Sequence, residues 1–119
     1  MFVDDQMHEY SIVLALMERI EAEAAARGAV AVHRVRLRIG ALSGIEPVLL
    51  ESAFSLVREH TMCESATLDI ERVPASWCCP RCDRSIAAGD ILQCPDCNEP
   101  ARLQGGDEIL LEQLELEVP

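Results

Sequence analysis

Cys79-Pro80-Arg81-Cys82 and Cys94-Pro95-Asp96-Cys97 form two CxxC knuckles joined by residues 83–93. Two thiolates at this spacing can grip one side of a tetrahedral metal ion, and a second pair closes the tetrahedron. Four soft sulfur ligands with no open position describe a structural Zn²⁺ site. The same four cysteines also admit an iron–sulfur cluster, a single iron, or a redox pair of disulfides. Cys78 directly precedes Cys79, but counting back from Cys82 selects Cys79, which leaves Cys78 as a spare thiol open to ligand exchange. Cys63 stands alone and reads as a small buried hydrophobe.

A second kind of chemistry is offered by Met7-His8-Glu9. A histidine beside a chain start can chelate a late transition metal through imidazole Nδ1, its own amide, a neighbouring amide and a free α-amine. Such a planar nitrogen set suits Ni²⁺ or Cu²⁺. The plain reading is a solvated histidine, and spacing does not exclude it. His33 shares strand parity with Val35 and Leu37 and reads as an edge-of-core residue. His60 reads as closing a helix, where it suits the dipole. Arg34, Arg36 and Arg38 form a row that is a solvated strand face, with a docking face for an acidic partner as the alternative.

The elements that must position these residues follow from periodicity. Ile12, Val13, Leu16, Ile20 and Ala24 make one apolar stripe of a helix over residues 7–27, with Gly28 placed to end it. Val35, Leu37 and Ile39 alternate with the arginines, which predicts a half-buried strand over 30–39. Pro47 opens a second helix running to about His60, with Leu50, Ala53, Phe54 and Val57 on its buried face. Glu46 at its start suits the helix N-terminus, and it could also lie near His8. Leu68 and Ile70 mark a second strand, reached by a right-handed parallel crossover. Leu114, Leu116 and Val118 mark a last one.

The fold class expected is α+β: a three-stranded mixed sheet with two helices on one face, plus a small zinc-ribbon-like domain. Residues 1–75 and 105–119 make a discontinuous first domain, and residues 76–104 the metal-stapled insert. The insert's inner loop holds Ile86, Ile91 and Leu92, too few for an independent core, so metal binding should supply most of its folding free energy.

Composition bounds the partners. A net charge of −11 over 119 residues makes a poor general nucleic-acid binder, because phosphate contacts supply most of that affinity. A cationic protein surface or a metal ion suits it better. No apolar run is long enough to span a membrane, and the acidic opening lacks the marks of a signal peptide. The expected location is cytoplasmic, where paired CxxC motifs hold metal rather than disulfides.

Taken together, Met7-His8-Glu9-Tyr10-Ser11-Ile12, Val35 to Ser43, Ala53-Phe54, Ala66 to Ile70, the four knuckle cysteines and Gly106-Asp107-Glu108 run in an order that resembles the HypA/HybF family. These are nickel metallochaperones of [NiFe]-hydrogenase maturation, and the resemblance spans residues 7–118. It implies a nickel domain beside a zinc domain. It also implies Ni²⁺ held by His8 with the amides of His8 and Glu9, the Glu9 side chain adding a ligand or orienting His8. The family's chains begin at the motif's methionine and lend its α-amine to nickel. Here six residues come first, so the amine ligand is implied only for a chain starting at Met7. Otherwise Met7 offers a backbone amide, and Asp4 or Asp5 an oxygen. Implied partners are a GTPase of the same pathway and a hydrogenase large-subunit precursor, with urease as a further client, the chain being a monomer or homodimer. Zinc is then structural, nickel is transported, and no enzyme activity is expected. The competing reading is a zinc-ribbon interaction adaptor without nickel. A thiol-exchange enzyme is disfavoured, since its cysteines would be tied up as ligands.

Overall fold

The computed structural model describes residues 5–119 apart from 88 and 90, with side chains described from His8 onward. Met7 therefore enters only through its helical backbone, and Asp4 lies outside the described residues. α1 spans Asp5–Ala26. It buries Glu9, Val13, Met17, Ile20 and Ala24, four and three residues apart, while Ile12 and Leu16 flank that stripe half-buried. Met17 thus occupies the centre of a face expected to be built around Leu16. The helix stops at Gly28, whose φ of 66° is the left-handed conformation a side chain resists. Gly28 N–H reaches Ala25 C=O at 3.1 Å and Ala29 N–H reaches Ala24 C=O at 2.9 Å, a Schellman termination.

β1 (Ala31–Gly40) is the centre of the main sheet, parallel to β2 (Thr67–Val73) on one side and antiparallel to β6 (Ile109–Glu117) on the other. α2 (Pro47–Val57) makes the β1-to-β2 crossover. Glu46 caps it by accepting from Val48 N–H at 3.3 Å, and Pro47 takes the first turn, where its missing N–H costs nothing. Leu50, Ala53 and Phe54 of α2 meet the α1 stripe over Val32, Val35, Leu37 and Ile39 of the sheet. Burying each large aliphatic or aromatic side chain there contributes about 1.5–3 kcal/mol before entropy is subtracted.

Three expectations are corrected. α2 ends at Val57, short of His60: the Arg58 guanidinium lies over the Phe54 ring and donates forward to Glu64 C=O, while His60 turns left-handed at φ 63°. His60 therefore sits exposed in the following turn and does not close the helix. His33 is not at the core's edge. The β1–β6 register slips between Val32 and Arg34, and this bulge turns His33 outward, where Nε2 meets Glu117 Oε1 at 2.8 Å. Val118 lies past the end of β6 and is exposed rather than in the strand's apolar row. The arginine row is mostly occupied internally: Arg34 pairs with Asp69 and with Glu115, and Arg38 lies 3.7 Å from Glu71 and 3.6 Å from Glu112.

A second, smaller sheet has the order β4-β3-β5, from β3 (Ser76–Cys78), β4 (Ser85–Ile86) and β5 (Arg102–Gly105). The chain enters it after Pro74-Ala75 and leaves through Gly105-Gly106. These two passes lie so close to the end of β1 that a Cβ on Gly40 would meet the Gly106 backbone at 2.2 Å.

Candidate metal centres

Each cysteine knuckle is built by the same local chemistry. Cys79 N–H bonds Arg84 C=O and Asp83 N–H bonds Cys79 C=O, both at 2.9 Å. Cys94 N–H bonds Glu99 C=O and Asn98 N–H bonds Cys94 C=O at the same distance. The residue after each second cysteine, Asp83 or Asn98, is left-handed at φ 61° and 56°. Asp and Asn are the side-chain-bearing residues that tolerate this conformation best, so CPxC followed by Asp or Asn is a knuckle signal in itself. Arg84 Nη1 donates to Asp96 Oδ2 at 2.6 Å and ties one knuckle to the other.

This folding brings the Sγ atoms of Cys79, Cys82, Cys94 and Cys97 within 4.8 Å of one another, with Cys82 and Cys94 3.8 Å apart. A tetrahedral ion with Zn–S bonds of about 2.3 Å spaces its sulfurs about 3.8 Å apart, so the arrangement fits zinc. Charge leads to the same conclusion. Burial opposes ionisation of Cys79, yet the amides of Cys82 and Arg81 and the thiols of Cys82 and Cys94 bring it down to about 7. The hydrogen bond of Cys97 to Cys82, and then burial, push its thiol up to about 12. The cluster thus pulls Cys79 and Cys97 in opposite directions, and a dication among the sulfurs would favour the thiolate form. Such an ion would be held by Cys79 and Cys94 from the buried side and by Cys82 and Cys97 from the surface. The set has no open position, so its contribution is to hold shape. Around it pack Ile86, Trp77 and Ala101, whereas Ile91 and Leu92 are exposed.

Cys78 is buried on β3 outside the cluster, with Arg102 Nη2 3.5 Å from its sulfur. Cys63 is buried in the main core, where burial and then the charge of Glu21 push its thiol up to about 11.

The Met7-His8-Glu9 stretch is the first part of α1. His8 is exposed and Glu9 is only 1 % exposed, so the two side chains leave the helix in different directions. Glu9 turns inward, and its Oε2 accepts from Glu46 N–H at 2.8 Å, which joins the start of α1 to the start of α2. Its Oε1 is buried without a hydrogen-bond partner among the described residues. Among the described residues, the cysteine cluster is the one group of three or more His, Cys, Asp or Glu side chains gathered for a metal. His8, Glu9 and Glu46 are not such a group. A helix beginning at Asp5 also takes the Glu9 amide into its own hydrogen-bond ladder. The expectation that Glu46 could lie near this stretch is met at Glu9, but through the Glu46 backbone N–H and not its carboxylate, a bond between residues 37 apart that local spacing does not show.

Comparison with known proteins adds four findings. A family model described as hydrogenase/urease nickel incorporation, metallochaperone, hypA matches residues 7–116. A hydrogenase maturation factor HypA of Shewanella oneidensis is 41% identical over 113 residues, covering 93% of this chain and 96% of that one. One from Shewanella baltica is 39% identical, covering 93% and 97%. The solution structure of the Ni metallochaperone HypA from Helicobacter pylori superposes with a TM-score of 0.72 at 30% identity, covering 93% of this chain and 98% of that one.

Proposed function

The chain belongs to the HypA family of nickel-incorporation metallochaperones, and from that premise we propose that it carries Ni²⁺ at the Met7-His8-Glu9 stretch and delivers it to the large-subunit precursor of a [NiFe]-hydrogenase, with urease as a further client. The handover involves a GTPase of the same pathway. The chain's own chemistry is binding and release, without a catalytic step, and the place of work is the cytoplasm. Residues 1–75 and 105–119 form the nickel-carrying unit and residues 76–104 the unit that the Cys79, Cys82, Cys94 and Cys97 zinc site holds in shape.

The observation that carries this reading is the contrast between the two neighbours in α1: His8 faces solvent while Glu9 is locked inward. An exposed imidazole at a helix start suits an ion that must be picked up and given away. Nitrogen ligands from the His8 and Glu9 amides become free only when the first turns of α1 open. Opening a terminal turn takes little free energy, because helix ends have few partners. Nickel uptake is then coupled to fraying of the helix from Asp5 to about Glu9, while the Glu9 carboxylate holds the remainder of α1 against Glu46. In this reading Glu9 contributes its amide nitrogen, Met7 a backbone nitrogen, and the Glu9 side chain a positional role.

Calorimetric titration of the zinc-loaded chain with Ni²⁺ tests this, comparing the full chain, a chain starting at Met7, and His8→Ala in both. Loss of the imidazole should weaken binding at least about tenfold, a difference of about 1.4 kcal/mol. Unchanged affinity in the alanine variants would remove His8 from the site and leave the zinc-ribbon adaptor as the better reading.

A further inference from the structure

Among the described residues the main sheet is open along β6. Gly40 N–H donates to Glu108 C=O at 2.8 Å, and an antiparallel ladder alternates from there. Leu110, Gln113 and Glu115 therefore turn their backbone groups toward β1. Those of Ile109, Leu111, Leu114 and Leu116 point to the open edge. A register slip opposite Arg36 and Leu37 bulges the strand at Glu112 and divides this edge in two. The half from Gln113 to Glu117 lies over a cleft of about 280 Å³ between α1 and β6. Its walls are Leu111, Leu114 and Leu116 below the strand, with Arg19, Glu23 and Arg27 on the helix. On the opposite face of the same half stand Glu115 and Glu117, about half exposed, with Arg34 3.1 Å from Glu115 and His33 2.8 Å from Glu117.

We propose that the Gln113–Glu117 edge is a docking site for an extended segment of a partner protein in which basic residues alternate with apolar ones, added as a fourth strand. Charge selects this occupant. β6 carries Glu112, Glu115 and Glu117 and no base, and Asp107 and Glu108 precede it. Arg34 and Arg38 of β1 face Glu115 and Glu112 but are shared with Asp69 and Glu71 of β2, so acid stays in excess, and the chain as a whole is at −11. A second copy of β6 would set acid against acid, and an acidic segment would do the same. The bulge and the acids thus keep the edge from pairing with itself, while the long-range field draws a basic strand toward it. The alternation of an added strand then suits both sides. Its basic side chains fall on the Glu115–Glu117 face, and its apolar ones enter the cleft over Leu114 and Leu116. Backbone hydrogen bonds supply affinity and these two rows supply selectivity.

The proposal does not depend on where nickel binds. Its test uses the zinc-loaded full chain labelled with ¹⁵N and two synthetic peptides, one alternating lysine with valine and the other alternating glutamate with valine. The lysine peptide should shift and protect the amides of Leu114 and Leu116, leaving Leu68 and Ile70 on the opposite edge unmoved. Its affinity should fall at least about tenfold when salt is raised from about 0.05 to 0.5 M, since screening shortens the reach of charges. The glutamate peptide should produce no shifts. A Glu115→Gln, Glu117→Gln double variant should bind the lysine peptide at least about fivefold more weakly. Shifts spread over other acidic surfaces, equal response to both peptides, or unchanged affinity in the double variant would each overturn the assignment.

Discussion

Glu9 holds two structural elements together with one hydrogen bond, and its other oxygen has none among the described residues. A buried carboxylate in that state is stabilising through the bond it makes and costly through the oxygen it leaves unpaired. The two effects separate on substitution. In Glu9→Ala the Glu46 N–H loses its acceptor inside the protein, and losing a part-buried hydrogen bond to a carboxylate costs about 1–3 kcal/mol. In Glu9→Gln the amide oxygen still accepts from Glu46, and the ionic desolvation is gone. The alanine variant should therefore lose about 1–3 kcal/mol in urea unfolding while the glutamine variant stays within about 1 kcal/mol of the parent. Equal losses in the two would mean that the tether to α2 contributes little and that packing volume is what Glu9 supplies. His8 in the same zinc-loaded assay should be neutral when replaced by alanine, because an exposed side chain near a helix end has little to lose. A stability effect there would mix folding into the nickel titration.

At the scale of elements, the fold was legible wherever a short-range rule decides the outcome. The alternation Val35, Leu37, Ile39 marked β1, Pro47 marked the start of α2, Gly28 marked the end of α1, and CPxC twice marked both knuckles. It was illegible where a partner element decides. The bulge at His33 depends on how β6 lies against β1 and cannot be read from residues 31–40 alone. The early end of α2 depends on Arg58 reaching Glu64, and the burial of Met17 on how α2 crosses α1. Gly40 belongs to this second kind. As a strand residue it reads as a simple turn signal, yet a Cβ there would lie 2.2 Å from the Gly106 carbonyl group and 2.7 Å from the Asp107 nitrogen. Both are backbone, so no side-chain rearrangement relieves the overlap. Gly40→Ala must separate the end of β1 from the Gly105-Gly106 pass, breaking the bonds from Gly40 N–H to Glu108 C=O and from Leu42 N–H to Gly106 C=O. Two hydrogen bonds at about 1 kcal/mol each plus the displaced packing predict a loss of about 3 kcal/mol or more. A thermal unfolding midpoint within a degree or two of the parent would show that the two strands part without cost.

Over the whole molecule, two sheets share one chain but not one core. The larger rests on aliphatic burial between α1, α2 and β1, and needs no metal to account for it. Among the described residues the smaller has one buried cluster, Cys79, Ile86 and Cys94, with Trp77, Cys97 and Ala101 against it and Cys78 buried beside it on β3. That is little apolar surface to offset the conformational entropy of ordering β3, β4 and β5, so bound metal should supply the difference. The sequence places a reporter there. Trp77 is the single tryptophan of the chain and packs on the cysteine cluster, whereas the helices lie in the other part. Stripping zinc with a strong chelator under reducing conditions should shift tryptophan emission to longer wavelength and raise its quenching by iodide. The far-UV helix signal should keep most of its amplitude, and readdition of zinc should reverse both optical changes. Cys94→Ala should reproduce the stripped state without chelator. Helix signal and tryptophan emission collapsing together would show one cooperative unit, in which the small sheet helps to hold α1 and α2. Unchanged emission after metal loss, checked by mass, would show that the knuckle hydrogen bonds and the Arg84–Asp96 pair suffice to hold the cysteine cluster without an ion.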